Sequence, residues 1–414
     1  MIVADDATGA RVCAGVDWAK DDHAVCIVGA EGEALQRFMI QHDRAGLKEM
    51  VRRLLSAGVD EVGIERPDGP IVDALLQAGL TVLVIPPAQV KNLRSRYGSA
   101  GNKDDRFDAY VLADVVRTDR RRLRPLERDT AATTALRSTV RTRRDLVIHR
   151  VGMGNQFRAH LQVVFPAAAG LFAEIDSEIS LKFLDRFSTQ TQADWLSVKR
   201  LGSWLASVGY SGRTEPAVIH ARITAAPRGT TGPEATALAG VTHAYIEVLR
   251  ALNTQIRGLA VSIAEQLDVH PDAKIFTSLP RSGTVRAARL LAEIGDARGK
   301  FPTASSLACL AGVAPSTRQS GKVKAVTFRW GANMDLRDAL CDFAGDSRHS
   351  NPWAADLYAK ARARNCDHPH AVRILARAWA NIIWRCWQTN TPYNPADHGG
   401  LQRILNQDQQ PVAA

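Results

Sequence analysis

Between residues 12 and 85 the chain alternates short apolar runs with amphipathic stretches, and that alternation confines its first part to an α/β fold. Residues 12–17 and 24–28 have the length and apolar character of strands, after which Leu47, Val51 and Leu54 recur at helical spacing. Val62-Gly63-Ile64 then leads directly into Glu65, and Ile71, Leu75 and Leu76 return to a helical period. Residues 81–85 form a β-branched-rich run that Pro86-Pro87 stops. Leading strands followed by strand, helix and strand predict a mixed sheet with an antiparallel edge rather than a fully parallel, doubly wound one.

Beyond Leu126 the pattern turns helical. Leu136, Val140, Val147 and Val151 share one face of a long basic helix. Residues 179–187 and 193–205 have helical character, and AAPRGTTGPEA reads as a loop. Leu249, Leu252, Ile256, Leu259, Ile263 and Leu267 then step by three and four, a heptad-like stripe that predicts a coiled-coil arm or a bundle helix and a candidate dimer contact. Further on, IFTSLPRSGTVRAARLLAEIGD is helix, turn, helix: an αα-hairpin, or a pair whose second N-terminus meets a phosphate. Leu375, Ala378, Trp379, Ile382 and Ile383 form a core stripe in a C-terminal helix. The 414 residues thus divide into an α/β domain at 10–125, a helical and coiled-coil region at 126–270 and a helical C-terminal domain at 271–398.

Charge is distributed unevenly along this chain. Lys and Arg exceed Asp and Glu by 53 to 43, a net +10, and the 68 residues from Lys91 to Arg158 hold 17 of these basic groups against 8 acidic ones. Arg120, Arg121, Arg122, Arg137, Arg141 and Arg144 lie in that segment, spaced to track a phosphate backbone, which predicts a nucleic-acid partner. The competing reading is a solvated helix face. Six cysteines (Cys13, Cys26, Cys309, Cys341, Cys366, Cys386) make no CxxC pair or Cys/His cluster, which argues against a zinc site or a disulfide framework. No basic segment followed by an apolar run opens the chain, and no stretch approaches the roughly 18 apolar residues of a membrane span. These features predict a cytoplasmic, nucleoid-associated protein with no membrane partner.

Asp17 and Glu65 each end an apolar run, and Asp105 and Asp108 lie three apart at the start of a helix. Acids at the ends of buried strands are costly without a compensating cation, so the four are candidates to converge on divalent metal. Two ions about 4 Å apart would suit phosphoryl transfer. Spacing leaves Asp104 and Asp105 as alternatives, since Asp104 is equally co-facial with Asp108, and either acid can cap the helix.

The segments GVDWAK, VGIERPDGP, VLVIPPAQVKNLR with NKDDRFDA, and FPTASSLACLAGVAPSTRQSGK occur in that order and together resemble the DEDD transposases of the insertion sequence 110 family. The resemblance runs from about residue 12 to 397. It implies an N-terminal RuvC-like domain of RNase H fold and a C-terminal transposase domain. It also selects Asp105 and Asp108 to complete the acid tetrad, with Mg²⁺ as the ion, and Ser320 as the nucleophile. Lys322, Lys324 and Arg329 follow that serine closely and could stabilise a phosphorane. The implied partners are DNA (element ends and target), a structured noncoding guide RNA, and further copies of the chain as a homodimer or homotetramer, with the serine and the acids meeting across a subunit interface. LPRSG and ERPDG depart from the family's usual glycine-rich turn and small-residue context.

Two other classes compete with a serine recombinase. A metal-dependent junction nuclease or cut-and-paste transposase needs only the acids. A non-enzymatic nucleic-acid-binding protein needs neither acids nor serine for chemistry.

Overall fold

The structure, a computed structural model, describes residues 11–97, 104–321 and 323–408. The chain divides between Arg128 and Asp129 into two compact units.

The first unit is built on strands β1 (Val12–Trp18), β2 (Asp22–Val28) and β3 (Ala34–Gln41), which form an antiparallel meander. Helix α1 (Arg44–Ser56) leads to β4 (Val59–Ile64), α2 (Pro70–Gln77) to β5 (Thr81–Val84), and α3 (Pro87–Arg94) and α4 (Asp105–Asp119) follow. The order across the sheet is β3-β2-β1-β4-β5, with β4 parallel to both β1 and β5. The expected mixed sheet with an antiparallel edge is therefore present, in the RNase H-type order.

Strand alternation sorts the side chains between two cores. Ala14, Val16, Val25, Ile27, Val62 and Ile64 pack with Met50 and Leu54 of α1 and Ile71 and Leu75 of α2. Cys13, Ala24, Cys26 and Leu83 face the other way, onto Ala109, Leu112, Ala113 and Val116 of α4. Two glycines let α4 lie against the sheet: a Cβ on Gly15 would sit 2.1 Å from the Ala109 carbonyl oxygen, and one on Gly63 2.8 Å from that of Leu112.

In the second unit, α5 (Ala131–Val164) is followed by four shorter helices, α6 (Glu178–Arg186), α7 (Gln190–Asp194), α8 (Val198–Ser207) and α9 (Pro216–Ala225), and then by α10 (Gly232–Asp268). The heptad-like stripe lies on α10, where Leu249, Ile256, Ile263 and Leu267 are buried. Helix α5 packs against α10 within the same chain, as the bundle-helix alternative expects. The two long helices are shared between cores. Phe157, Leu161, Ile246 and Leu249 pack with Phe183, Leu201 and Ile219 of the shorter helices. Leu136, Val140, Ile263 and Leu267 pack instead with the C-terminal residues Phe276, Leu291, Leu340 and Trp379, so one core spans both sides of residue 270.

The remaining elements are α11 (Ala273–Thr277), α12 (Gly283–Ile294), α13 (Ala304–Leu310), strands β6 (Ser316–Ser320) and β7 (Val323–Thr327), α14 (Met334–Ser347), α15 (Pro352–Ala363), α16 (His368–Thr389) and α17 (Gly399–Asp408). The C-terminal stripe is core as expected, with Leu375, Trp379 and Ile383 of α16 buried. Trp379 also donates to the Ser347 hydroxyl at 2.9 Å. In the LPRSG turn, Arg281 adopts φ +54°, a conformation that favours glycine, and its guanidinium donates to Asp346 at 2.9 Å. The antiparallel ribbon β6-β7 was not anticipated in this otherwise helical region. Among the described residues, no helix is long and apolar enough to cross a membrane.

Candidate active site

In the parallel register of β1 and β4, Val16 pairs with Ile64. Asp17 and Glu65 are the next residues, so both leave the sheet at the same level, at the carboxyl ends of neighbouring parallel strands. Alternation places them in line with Gly15 and Gly63, on the side that α4 approaches.

Helix α4 supplies the other acids in its first turn. Asp104 is its N-cap, with extended backbone and a side chain accepting from the Arg106 N–H at 3.0 Å. Asp105 and Asp108 follow on one face. Asp17, Asp105 and Asp108 each offer a carboxylate oxygen, and the three oxygens lie within 4.8 Å of one another. Asp108 is buried, Asp17 half-buried and Asp105 exposed, so the cluster opens to solvent on one side. Glu65, half-buried just beyond β4, stands outside that trio.

Three clustered carboxylates form a hard-oxygen donor set suited to a divalent cation such as Mg²⁺. One cation is already engaged there. Arg94, the last residue of α3, donates Nε to Asp108 Oδ1 at 2.5 Å and a second nitrogen to Oδ2. Sequence spacing did not single out this arginine; the available signal was that a buried aspartate requires a positive partner.

The basic residues fall into two groups. Arg121, Arg122 and Arg124 are exposed, Arg122 bridging loosely to Asp119 at 3.3 Å. The others are engaged: Arg120 pairs with Glu61, and Arg137 with Asp129 and, at 2.6 Å, the Ala292 carbonyl. Arg141 grips Glu293 through two bonds of 2.9 and 2.7 Å, and Arg144 pairs with Asp145 and Asp335. The forks that were expected to track phosphates at positions 120, 137, 141 and 144 thus bind carboxylates of their own unit.

Ser320 ends β6, in the second unit, and is exposed. The strands connect through Gly321 and residue 322, and Gly321 has φ +55° as a tight hairpin requires. Lys322 lies outside the described residues. Arg329 donates to the carbonyls of Ala314 and Pro315, both at 3.2 Å, where it ties down the root of the ribbon. Register places Arg318 opposite Ala325 and Ser320 opposite Val323 on one face, with Gln319 and Lys324 on the other. Arg318 escaped the sequence reading because no strand had been assigned there. Trp330, just past the ribbon, is 83% exposed and contacts Phe328 edge to face.

A mixed sheet carrying carboxylates at its strand ends, beside a helix that completes an acidic cluster, defines a nuclease-type phosphoryl-transfer scaffold. Comparison with known proteins narrows this to one family. A DEDD transposase profile of IS110 matches residues 14–166, and the profile described as "Transposase IS116/IS110/IS902 family" matches residues 273–359. The "Mini-circle putative transposase for IS117" of Streptomyces coelicolor is 31% identical over 400 residues, 92% of this chain and 95% of that protein. An "Insertion element IS900 uncharacterized 42 kDa protein" of Mycobacterium paratuberculosis is 26% identical over 93% of this chain and 98% of its own length. The chain belongs to the IS110 family of insertion-sequence transposases, enzymes that cleave and recombine DNA.

Proposed function

We propose that this transposase cuts and rejoins DNA through Ser320, with Asp17, Glu65, Asp105 and Asp108 holding Mg²⁺, two ions when fully loaded. The observation that carries the reading is the trio of carboxylates gathered within 4.8 Å at the end of β1 and the start of α4. When bound, the metal supplies Lewis-acid stabilisation of the charge that develops on the phosphate.

The rest of the chemistry belongs to the chain. The Ser320 Oγ attacks a DNA phosphorus; a P–O bond to deoxyribose breaks, the seryl proton leaves to a base, and the departing sugar oxygen takes one up. The resulting phosphoserine retains the energy of the broken bond, so a second DNA hydroxyl can attack it, restore the serine and join a new pair of strands. Arg121, Arg122 and Lys324, all exposed, would bind phosphates, while Asp104 and the two close-approach glycines hold the acid-bearing turn in place.

A structured noncoding RNA that selects the DNA by base pairing, and assembly as a homodimer or homotetramer, complete the proposal. Family resemblance supports both, and the basic composition supports the RNA. The test is cleavage of the element's end-to-end junction DNA in Mg²⁺, with and without its flanking RNA, resolved on a denaturing gel that retains protein covalently joined to DNA. An adduct that requires Mg²⁺ and RNA, and that Ser320→Ala abolishes, is the expected result. Cleavage that persists in Ser320→Ala while each acid remains essential would replace this reading with a purely metal-dependent nuclease.

A further inference from the structure

We propose that Arg318 is the guanidinium that binds and neutralises the phosphate attacked by Ser320, an inference that rests on the serine reading above. Residues two apart in a strand project from the same face about 7 Å apart along the chain. The register of the ribbon puts Ser316, Arg318 and Ser320 of β6 on one face with Thr327, Ala325 and Val323 of β7. Arg318 therefore shares the nucleophile's face, and its cross-strand neighbour is a methyl group that neither pairs with the guanidinium nor blocks it.

The other nearby cations are differently placed. Lys324 is on the opposite face, across from Gln319. Arg329 is held by two backbone carbonyls at the ribbon's root. Among the described residues of the ribbon, Arg318 is thus the one cation on the side of Ser320. At the ribbon's root Thr317, on the other face, lines a cavity of about 300 Å³ with Ala304, Ala308, Arg377 and Asn381. Both faces of the ribbon are open to solvent, and Ser320 and Arg318 are both exposed.

Charge points the same way. From Phe301 to Met334 the sequence contains no aspartate or glutamate and four basic residues, Arg318, Lys322, Lys324 and Arg329. No carboxylate along the ribbon competes for the guanidinium. A phosphate diester gains a full negative charge as a nucleophile adds to it, and a planar guanidinium contacting both non-bridging oxygens opposes that charge where it forms. A lysine retains the charge but loses the two-pronged contact, so Arg318→Lys should keep part of the activity.

The experiment measures covalent adduct formation by the full-length protein on the element's junction DNA, with its flanking RNA and Mg²⁺. The scissile position carries either the natural phosphate or a methylphosphonate, which lacks one anionic oxygen. On the phosphate, Arg318→Ala should slow the reaction about 100-fold or more, Arg318→Lys should recover part of that loss, and Gln319→Ala on the opposite face should match wild type. On the methylphosphonate, Arg318→Ala and wild type should react within a few-fold of each other, because the charge that the guanidinium opposes has been removed. A structural role would instead leave the same deficit on both substrates. The proposal is overturned if Arg318→Ala matches wild type on the phosphate, or if its deficit persists on the methylphosphonate. Ser320→Ala separates the two levels: loss of adduct in that variant beside normal Arg318→Ala sinks the arginine assignment alone. Cleavage surviving in Ser320→Ala sinks the serine reading and this inference with it.

Discussion

At the residue scale, the acid cluster depends on side chains that balance one another's charge. The Asp108 side chain is 3% exposed and both of its oxygens accept from Arg94. Removing one member of a buried pair leaves a bare charge, at a cost of about 3 kcal/mol or more. Arg94→Gln should therefore lower the melting temperature in EDTA. Because a divalent cation at Asp17, Asp105 and Asp108 would supply the missing charge, Mg²⁺ or Mn²⁺ should raise the variant's melting temperature more than that of wild type. Thermal unfolding with and without metal checks this, and an equal rise in both proteins would show that Arg94 and the ion do not serve the same carboxylate. Some of this was legible in the sequence. Asp17 and Glu65 stood at the ends of apolar runs, and of the two acids that spacing left open, Asp104 caps the helix and Asp105 lies in the cluster. Arg94 was not legible, because 14 positions of sequence separate it from Asp108 and only the folded chain makes them neighbours.

At the element scale, periodicity predicted much of what the helices bury, though Val151 of the α5 stripe is exposed, but not what they bury it against. The α10 stripe and the α16 stripe were both readable from their spacing, yet the partner of α10 is α5, which ends 68 residues before α10 begins. The arginines of α5 show the same limit more sharply. Their density suggested a polyanion, but Arg141 reaches Glu293, whose side chain is 3% exposed, across 152 positions of sequence. Arg141→Ala would strand that carboxylate and should destabilise the protein by about 3 kcal/mol. Adding Glu293→Leu to Arg141→Leu should recover much of the loss by removing both charges. Urea unfolding of the single and double variants measures the coupling. Additive losses would mean that the pair contributes little. The ribbon β6-β7 went unread for another reason: it is short and exposed on both faces, so it lacks the one-sided apolar alternation that marks a strand.

At the scale of the whole molecule, the net charge of +10 overstates how many cations are available to DNA. In the basic segment, Arg94, Arg117, Arg120, Arg137, Arg141, Arg144 and Arg150 all pair with acids of their own unit, whereas Lys91, Arg106, Arg121, Arg122 and Arg124 are exposed. Counterion release turns this division into a measurement, since each phosphate contact on duplex DNA contributes about 0.9 to the slope of log affinity against log salt. Replacing Arg121, Arg122 and Arg124 together by glutamine should reduce that slope by about 2 to 3 without altering thermal stability. Replacing Arg137 should do the reverse: the slope stays as in wild type, while stability falls because Asp129 loses its guanidinium partner and the Ala292 carbonyl a donor. Fluorescence anisotropy of a labelled junction duplex across a salt series, paired with melting curves, reads both quantities. A slope that drops for Arg137 and not for the exposed trio would mean that DNA draws the engaged arginines out of their ion pairs, and that the charge surplus in the sequence was the better guide to the binding surface.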